Sequence, residues 1–250
     1  MVSELTISEL ADKVGVSTAS ISRFAKAVGY NNYREFSMDL ANVRADINRT
    51  TMFKKIHPDD TPSVMAEKTF QAMIDALIST QSILHEDKLE EAVNTILHAN
   101  QLAFFGLGGS SVAALDGYHK FLRTSINSEY YPDFDVQLMQ AAKMTSHDCA
   151  IMISHSGENQ QALTVLKQLQ NNKVPVIAIT SYGRSSLAQR ADIVLLSLAD
   201  QVNKSSDGMY TLIAQMALID SLFTIVAVKL SNKTEAVMDR VREAINRTRT

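Results

Sequence analysis

A chain of 250 residues that is 46% hydrophobic and 20% charged, with a net charge of -3, has the make-up of a globular protein with room for one large core and a small accessory module. The charge balance excludes a nucleic-acid role built on global electrostatics, so any DNA contact must rest on a local surface. A single cysteine, Cys149, excludes an internal disulfide; set inside an apolar run, it is expected to be buried rather than reactive, which fits a reducing cytoplasm.

The first residues, Met1-Val-Ser-Glu-Leu-Thr6, have neither the basic nor the apolar region of an export signal. Leu10, Ala11 and Val14, then Gly15-Val16, then Ser17-Thr-Ala-Ser20, then Ile21 and Phe24 predict helix, tight turn, helix. Ala11 is small where two helices cross closely, Gly15 takes the positive φ that ends the first, and Ser17 caps the second. Val16, Ile21 and Phe24 are expected to face inward. That leaves Ser17, Thr18, Ala19, Ser22 and Arg23 outward, with Lys26 a turn further on, as a polar surface for phosphates and base edges in a major groove. An αα-hairpin of no special role is the plain alternative, but the spacing of Ala, Gly and the apolar positions favours a DNA-binding helix-turn-helix. Gly29 is expected to close the recognition helix, and Tyr33, Phe36 and Leu40 to line the next one.

Positions 44–62, with Pro58, Asp59, Asp60 and Pro62, read as a hinge. Ser63 to Leu84 reads helical with Val64, Phe70, Ile74, Leu77 and Ile78 as its apolar side; Asp87 to Ala99 follows, with Leu89, Ala92, Val93, Ile96 and Leu97 buried. Five apolar strands come next: Leu102 to Gly106, Glu129 to Tyr131, Cys149 to Ile153, Val174 to Thr180 and Ile193 to Ser197. Helical patterns separate them, which is the signature of a parallel sheet covered on both faces. Leu212 to Val228 is interrupted by Gln215 and Asp220 and falls short of a membrane span, so it is read as a buried helix and no membrane partner is expected.

Two strand ends carry the chemistry. Cys149-Ala-Ile-Met-Ile-Ser154-His155-Ser156-Gly157-Glu-Asn159 breaks from an apolar strand into small polar residues, then continues as a helix with Leu163, Leu166 and Leu169 at helical spacing. The opening N–H groups of such a helix lack internal partners and the dipole's positive end points outward, so an anion meets donors already in place. Ser154 and Ser156 add hydroxyls, although a lone Ser-x-Ser-Gly is more often a helix cap. Leu102-Ala-Phe-Phe-Gly106-Leu-Gly108-Gly109-Ser110-Ser111 repeats the pattern ahead of a helix from Val112 to Leu122. In an open parallel sheet the loops after neighbouring strands face one crevice, and the glycines let backbone approach a ligand. The run lacks the third glycine and the downstream acid of a dinucleotide fingerprint, and the Lys-Ser/Thr ending of a P-loop. A small phosphorylated molecule is the expected ligand.

Ile7-Ser-Glu-Leu-Ala11, Val16-Ser-x-x-x-Ile21-x-Arg23-Phe24, Gly29-Tyr30 and Tyr33-x-x-Phe36 resemble the N-terminal domain of RpiR-type bacterial transcription regulators, whose second domain is a sugar isomerase (SIS) domain. Leu84 to Val228 is similar to that domain: Gly106-x-Gly-x-Ser110 to its first phosphosugar loop, Ser154-x-Ser156-Gly-Glu158 to its second, and Ile179-Thr180 with Ser185-Ser-Leu-Ala188 and Ala191-Asp192 to its third strand and loop. The resemblance implies an α/β protein: a three-layer α/β/α SIS domain with a five-stranded parallel sheet over 84–250, a linker and helix over 51–83, and a small all-α helix-turn-helix domain over 1–50. It implies helices ahead of Ser3, so the 1–50 module is expected to lack its first helix. It also implies a sugar phosphate held by Ser110, Ser154, Ser156 and Asn159, the last an amide where the family has threonine, with Gly108, Gly109, Ser111, His155 and Gly157 around them. Ser186 stands where the family often has proline.

Aldose-ketose isomerisation needs a base and an acid in the crevice. His155 and Glu158 are the candidates for this alternative; Glu158 at a helix start is better placed to favour the dipole, and His119 within a helix is structural or exposed. No Ser-His-Asp set, metal-ligand spacing or cofactor motif is present in the sequence. A cytoplasmic regulator that binds a double-stranded operator and a sugar phosphate effector, and does not turn the effector over, is the leading expectation. Two half-sites require a homodimer or homotetramer, with Leu212 to Val228 and Thr234 to Arg247 as candidate intersubunit surfaces.

Overall fold

The structure is a computed structural model that describes residues 5–27, 30, 32–37, 56–198 and 209–248. The chain divides into two compact units, Met1–His57 and Pro58–Thr250.

In the first unit, α1 (Ile7–Val14) opens on a capping box: the Thr6 hydroxyl accepts the Glu9 N–H and the Glu9 carboxylate accepts the Thr6 N–H at 2.7 Å. The Thr6 N–H and the Thr6 hydroxyl, both donating to the Glu9 carboxylate, hold it below its ordinary pKa. Gly15 ends the helix at φ 70°, and α2 (Thr18–Ala27) begins where the Ser20 N–H donates to the Ser17 hydroxyl at 3.2 Å. Leu10, Ala11, Ile21 and Tyr33 form the small core with Leu5, Ile7 and Phe36 around it, and the Tyr33 hydroxyl ties it to the Leu5 carbonyl. Val16 and Phe24, expected inside, are 44% and 53% exposed. Ile21 and Ala25 take the inward stripe of α2, which leaves Phe24 at its edge with its ring set edge-on to Phe36 at 5.7 Å. Gly29, Leu40 and positions 38–55 lie outside the described residues.

The second unit is built on five parallel strands in the order β2-β1-β3-β4-β5: β1 (Leu102–Gly106), β2 (Ser128–Tyr130), β3 (Cys149–Ile153), β4 (Val176–Thr180) and β5 (Ile193–Leu196). Every residue of β1, β3 and β4 is buried, as continuous apolar runs between two helical layers must be. Leu102, Phe104, Ile151, Ile177 and Leu195 face α4 (Glu86–His98), α5 (Ser110–Phe121) and the long C-terminal helix α9 (Met209–Asn246). Ala103, Phe105, Met152 and Ala178 face α6 (Phe134–Lys143), α7 (Gln160–Asn171) and α8 (Ser186–Arg190). The architecture is therefore the expected three-layer α/β/α sandwich.

Helix α3 (Pro62–Ser82), within the segment read as linker and helix, packs against α9. Its buried residues are small, Ala76 and Thr80, and the Thr80 hydroxyl accepts the Leu198 N–H and donates to the Leu198 carbonyl just after β5. Phe70, Ile74 and Ile78, expected on the inner side, are therefore turned out, at 68%, 45% and 59% exposure. Leu212 to Val228 lies within α9, where Ala214 is buried and Leu218, Ile219, Leu222 and Val226 pack into the same chain's core. By length and a mean hydropathy of 1.9, Tyr210–Ser231 is long enough to cross a membrane, so the length argument against a span does not stand; the burial of that stripe accounts for its apolarity. Asp220 meets Lys120 of α5, which also pairs with Asp116. Burial lowers the Lys120 pKa, but the two carboxylates outweigh it and hold it above the ordinary lysine value.

Candidate functional site

Strands β1 and β3 are neighbours in register, with Gly106 opposite Ile153. Their loops start at one level, yet β1 continues through α5 to β2 on one side while β3 continues to β4 on the other. In a doubly wound sheet this reversal of strand order is where a crevice opens. A cavity of about 480 Å³ lies there, lined by Leu107, Gly109 and Ser110 from the first loop, Ile153 to Ser156, Asn159 and Ala162 from the second, and Leu212 and Gln215 from α9.

The second loop is fixed by its own hydroxyls. The Gly157 N–H donates to Ser154 Oγ and the Glu158 N–H to Ser156 Oγ, both at 3.2 Å. Each serine oxygen thus accepts from the backbone and keeps its own O–H for a ligand. Gly157 sits at φ 65°, and a Cβ there would lie 2.2 Å from Ser185 Oγ, so only glycine fits. Asn159, not Ser156, caps α7: its side-chain oxygen accepts the Ala162 N–H at 3.0 Å. The N–H groups of Gln160 and Gln161 open that helix without an intrahelical acceptor. Helix α5 has Gly109 as its cap residue, with no side-chain capping bond.

Six of the nine residues expected at the sugar phosphate line this cavity: Gly109, Ser110, Ser154, His155, Ser156 and Asn159. The other three do not. Gly108, at φ 56°, shapes the first turn, Gly157 shapes the second, and Ser111 turns its hydroxyl back to the Gly108 carbonyl at 2.6 Å. His155 Nδ1 lies 2.8 Å from Ser181 Oγ and 3.2 Å from Thr211 Oγ1, so the imidazole is held between the segment after β4 and α9, with Ser197 in turn 3.2 Å from Ser181. Glu158 points away from the cavity: its carboxylate accepts the Ser186 N–H and hydroxyl, both at 2.7 Å, and these bonds hold its pKa below the ordinary value. His119 is exposed. Cys149 is buried in the sheet, and burial pushes its thiol pKa far up. No group of three or more metal-ligating side chains occurs among the described residues.

Leu107, Ile153, Ala162, Leu212 and Gln215 were not anticipated as lining. The polar interruption of an apolar run at Gln215 was the one sequence signal for any of them. In the first unit Ser17, Thr18, Ala19, Arg23 and Lys26 are exposed and Ser22 is half-buried; the Arg23 guanidinium donates to Ser20 Oγ at 3.2 Å.

The SIS domain family matches residues 95–225, and the helix-turn-helix domain of the rpiR family matches residues 1–46. An uncharacterized HTH-type transcriptional regulator of Caldanaerobacter subterraneus subsp. tengcongensis is 30% identical over 246 residues, covering 98% of this chain and 87% of that protein. The chain belongs to the RpiR family. Another such regulator, from Thermotoga maritima, is 29% identical over 227 residues, covering 90% of this chain and 81% of the relative. Among solved structures, Vibrio vulnificus NanR complexed with ManNAc-6P shares the fold with a TM-score of 0.70 at 19% identity, covering 99% of this RpiR-family chain and 88% of that one.

Proposed function

We propose that this RpiR-family transcriptional regulator binds an operator through α2 and senses a sugar phosphate of carbohydrate metabolism in the cavity between the β1 and β3 loops. The observation that carries the reading is the convergence of two serine-lined helix openings on one cavity whose described lining includes hydroxyls, an asparagine, a glutamine and an imidazole but no carboxylate. The two loops of such a wall accept a phosphoryl group through their serine hydroxyls, the Asn159 amide and the helix ends. The NanR complex with ManNAc-6P agrees with that ligand class.

Sensing is favoured over isomerisation by Glu158, which is engaged with Ser186 rather than facing the cavity. The family's named relatives are regulators too. On this reading Ser110, Ser154, Ser156 and Asn159 hold the phosphoryl end, Ser17, Thr18, Ala19, Ser22, Arg23 and Lys26 face a major groove, and the protein works in the cytoplasm as a homodimer or homotetramer on two half-sites. Effector binding shifts operator affinity by the difference in its affinity for two arrangements of the protein. A thermal-shift screen against sugar phosphates, followed by titration of an operator fragment with and without the best binder, tests both halves. A melting temperature unmoved by every sugar phosphate at millimolar concentration overturns the sensor.

A further inference from the structure

Three side-chain polar atoms among the described residues are buried without a hydrogen-bond partner: Ser128 Oγ, Thr234 Oγ1 and Gln215 Nε2. Only Gln215 lines the cavity. The residue is 2% exposed, on the stripe of α9 that faces inward one turn after Leu212, which lines the same wall. Folded proteins rarely leave a buried amide N–H without an acceptor, because stripping it of water is unfavourable and nothing in the fold offsets it. No group of the described chain accepts from this nitrogen, so a ligand oxygen at that wall supplies the missing acceptor.

We infer that Gln215 reads the uncharged part of the effector, its amide nitrogen donating to a hydroxyl or carbonyl oxygen on the sugar carbons, which inorganic phosphate does not have. The inference rests on the proposed phosphorylated ligand and adds the residue that selects among such ligands. The two serine loops supply donors for a phosphoryl group common to all of them, so they bind without choosing. Gln215 comes from a different element, is neutral, and is rewarded only by a ligand with an oxygen at that wall; ligands without one leave the amide unsatisfied.

The test uses the full chain and calorimetric titration with inorganic phosphate, glucose 6-phosphate and N-acetylmannosamine 6-phosphate. Gln215→Met keeps the volume and removes the donor; Gln215→Leu is the second variant. In the wild type at least one sugar phosphate binds roughly tenfold or more tightly than inorganic phosphate, an advantage that both variants erase while binding phosphate as before. Both variants melt at or above the wild-type temperature without ligand, because an unsatisfied buried group has been removed. A variant that keeps the full advantage, or a wild type with none, overturns the role of Gln215 and leaves the phosphate site standing. Absence of all phosphate and sugar-phosphate binding in the wild type overturns the proposed function itself.

Discussion

Replacing Gly157 by alanine strikes the second loop at the position where geometry is least forgiving. An L-residue at φ 65° costs about 1 kcal/mol relative to glycine. The added Cβ would stand 2.2 Å from Ser185 Oγ and 2.5 Å from Ser185 Cβ, so the backbone of Ser185 has to retreat. Ser185 is buried and caps α8 by accepting the Ala188 N–H, and losing that cap costs a further ~1 kcal/mol. Together the loss is about 2 kcal/mol, which in a unit of this size lowers the melting temperature by roughly 4–8 °C. Gly108→Ala is the internal control: its φ is 56°, but a Cβ there meets nothing within 4 Å, so only the backbone term of about 1 kcal/mol applies. Differential scanning calorimetry of the two variants measures the gap. If Gly157→Ala and Gly108→Ala melt together, the Ser185 contact is not what makes glycine necessary and the account of the loop is wrong.

Ser154→Ala is expected to weaken sugar-phosphate binding by at least tenfold, because it removes both a ligand donor and the acceptor of the Gly157 N–H; an unchanged thermal shift would count against the site. For Glu158 the folded pKa is depressed, so its contribution to stability is present above the unfolded value and is lost as pH falls through the folded one. Glu158→Gln should flatten the acid limb of the stability curve without weakening sugar-phosphate binding, and a loss of affinity would return Glu158 to the cavity. Lys120 has the opposite sign: its raised pKa places its contribution below the ordinary lysine value, fading as pH rises through the folded one, and Lys120→Met should remove that alkaline limb. Arg23→Ala should weaken operator binding and reduce the salt slope by about one if the guanidinium meets a phosphate, as filter binding over a salt series would report.

The sheet was legible because strands covered on both faces are continuous apolar runs, and the first and third were read to the residue: Leu102 to Gly106 and Cys149 to Ile153. The two serine loops were legible from their small residues. What periodicity could not supply is which apolar residues face which neighbour. Helical spacing puts Phe24 and Phe70 on the inner side, whereas the buried positions are Ile21 and Ala25 in one helix and Ala76 and Thr80 in the other. The third wall of the cavity was hidden for a different reason. Gln215 lies over a hundred positions beyond Ser110 in the chain, and only the way α9 lies along α5 brings it to the strand ends.

The lone thiol, inert as chemistry, has an experimental use. Cys149 sits in β3, five positions ahead of Ser154, which lines the cavity, and is shielded on both sides of the sheet. A thiol reagent can reach it only when the sandwich opens, so its labelling rate is a clock for that opening, with no probe to be engineered. A small molecule that bridges the two loops has to slow the clock, whereas one that docks elsewhere on a frayed surface leaves it running at the same pace.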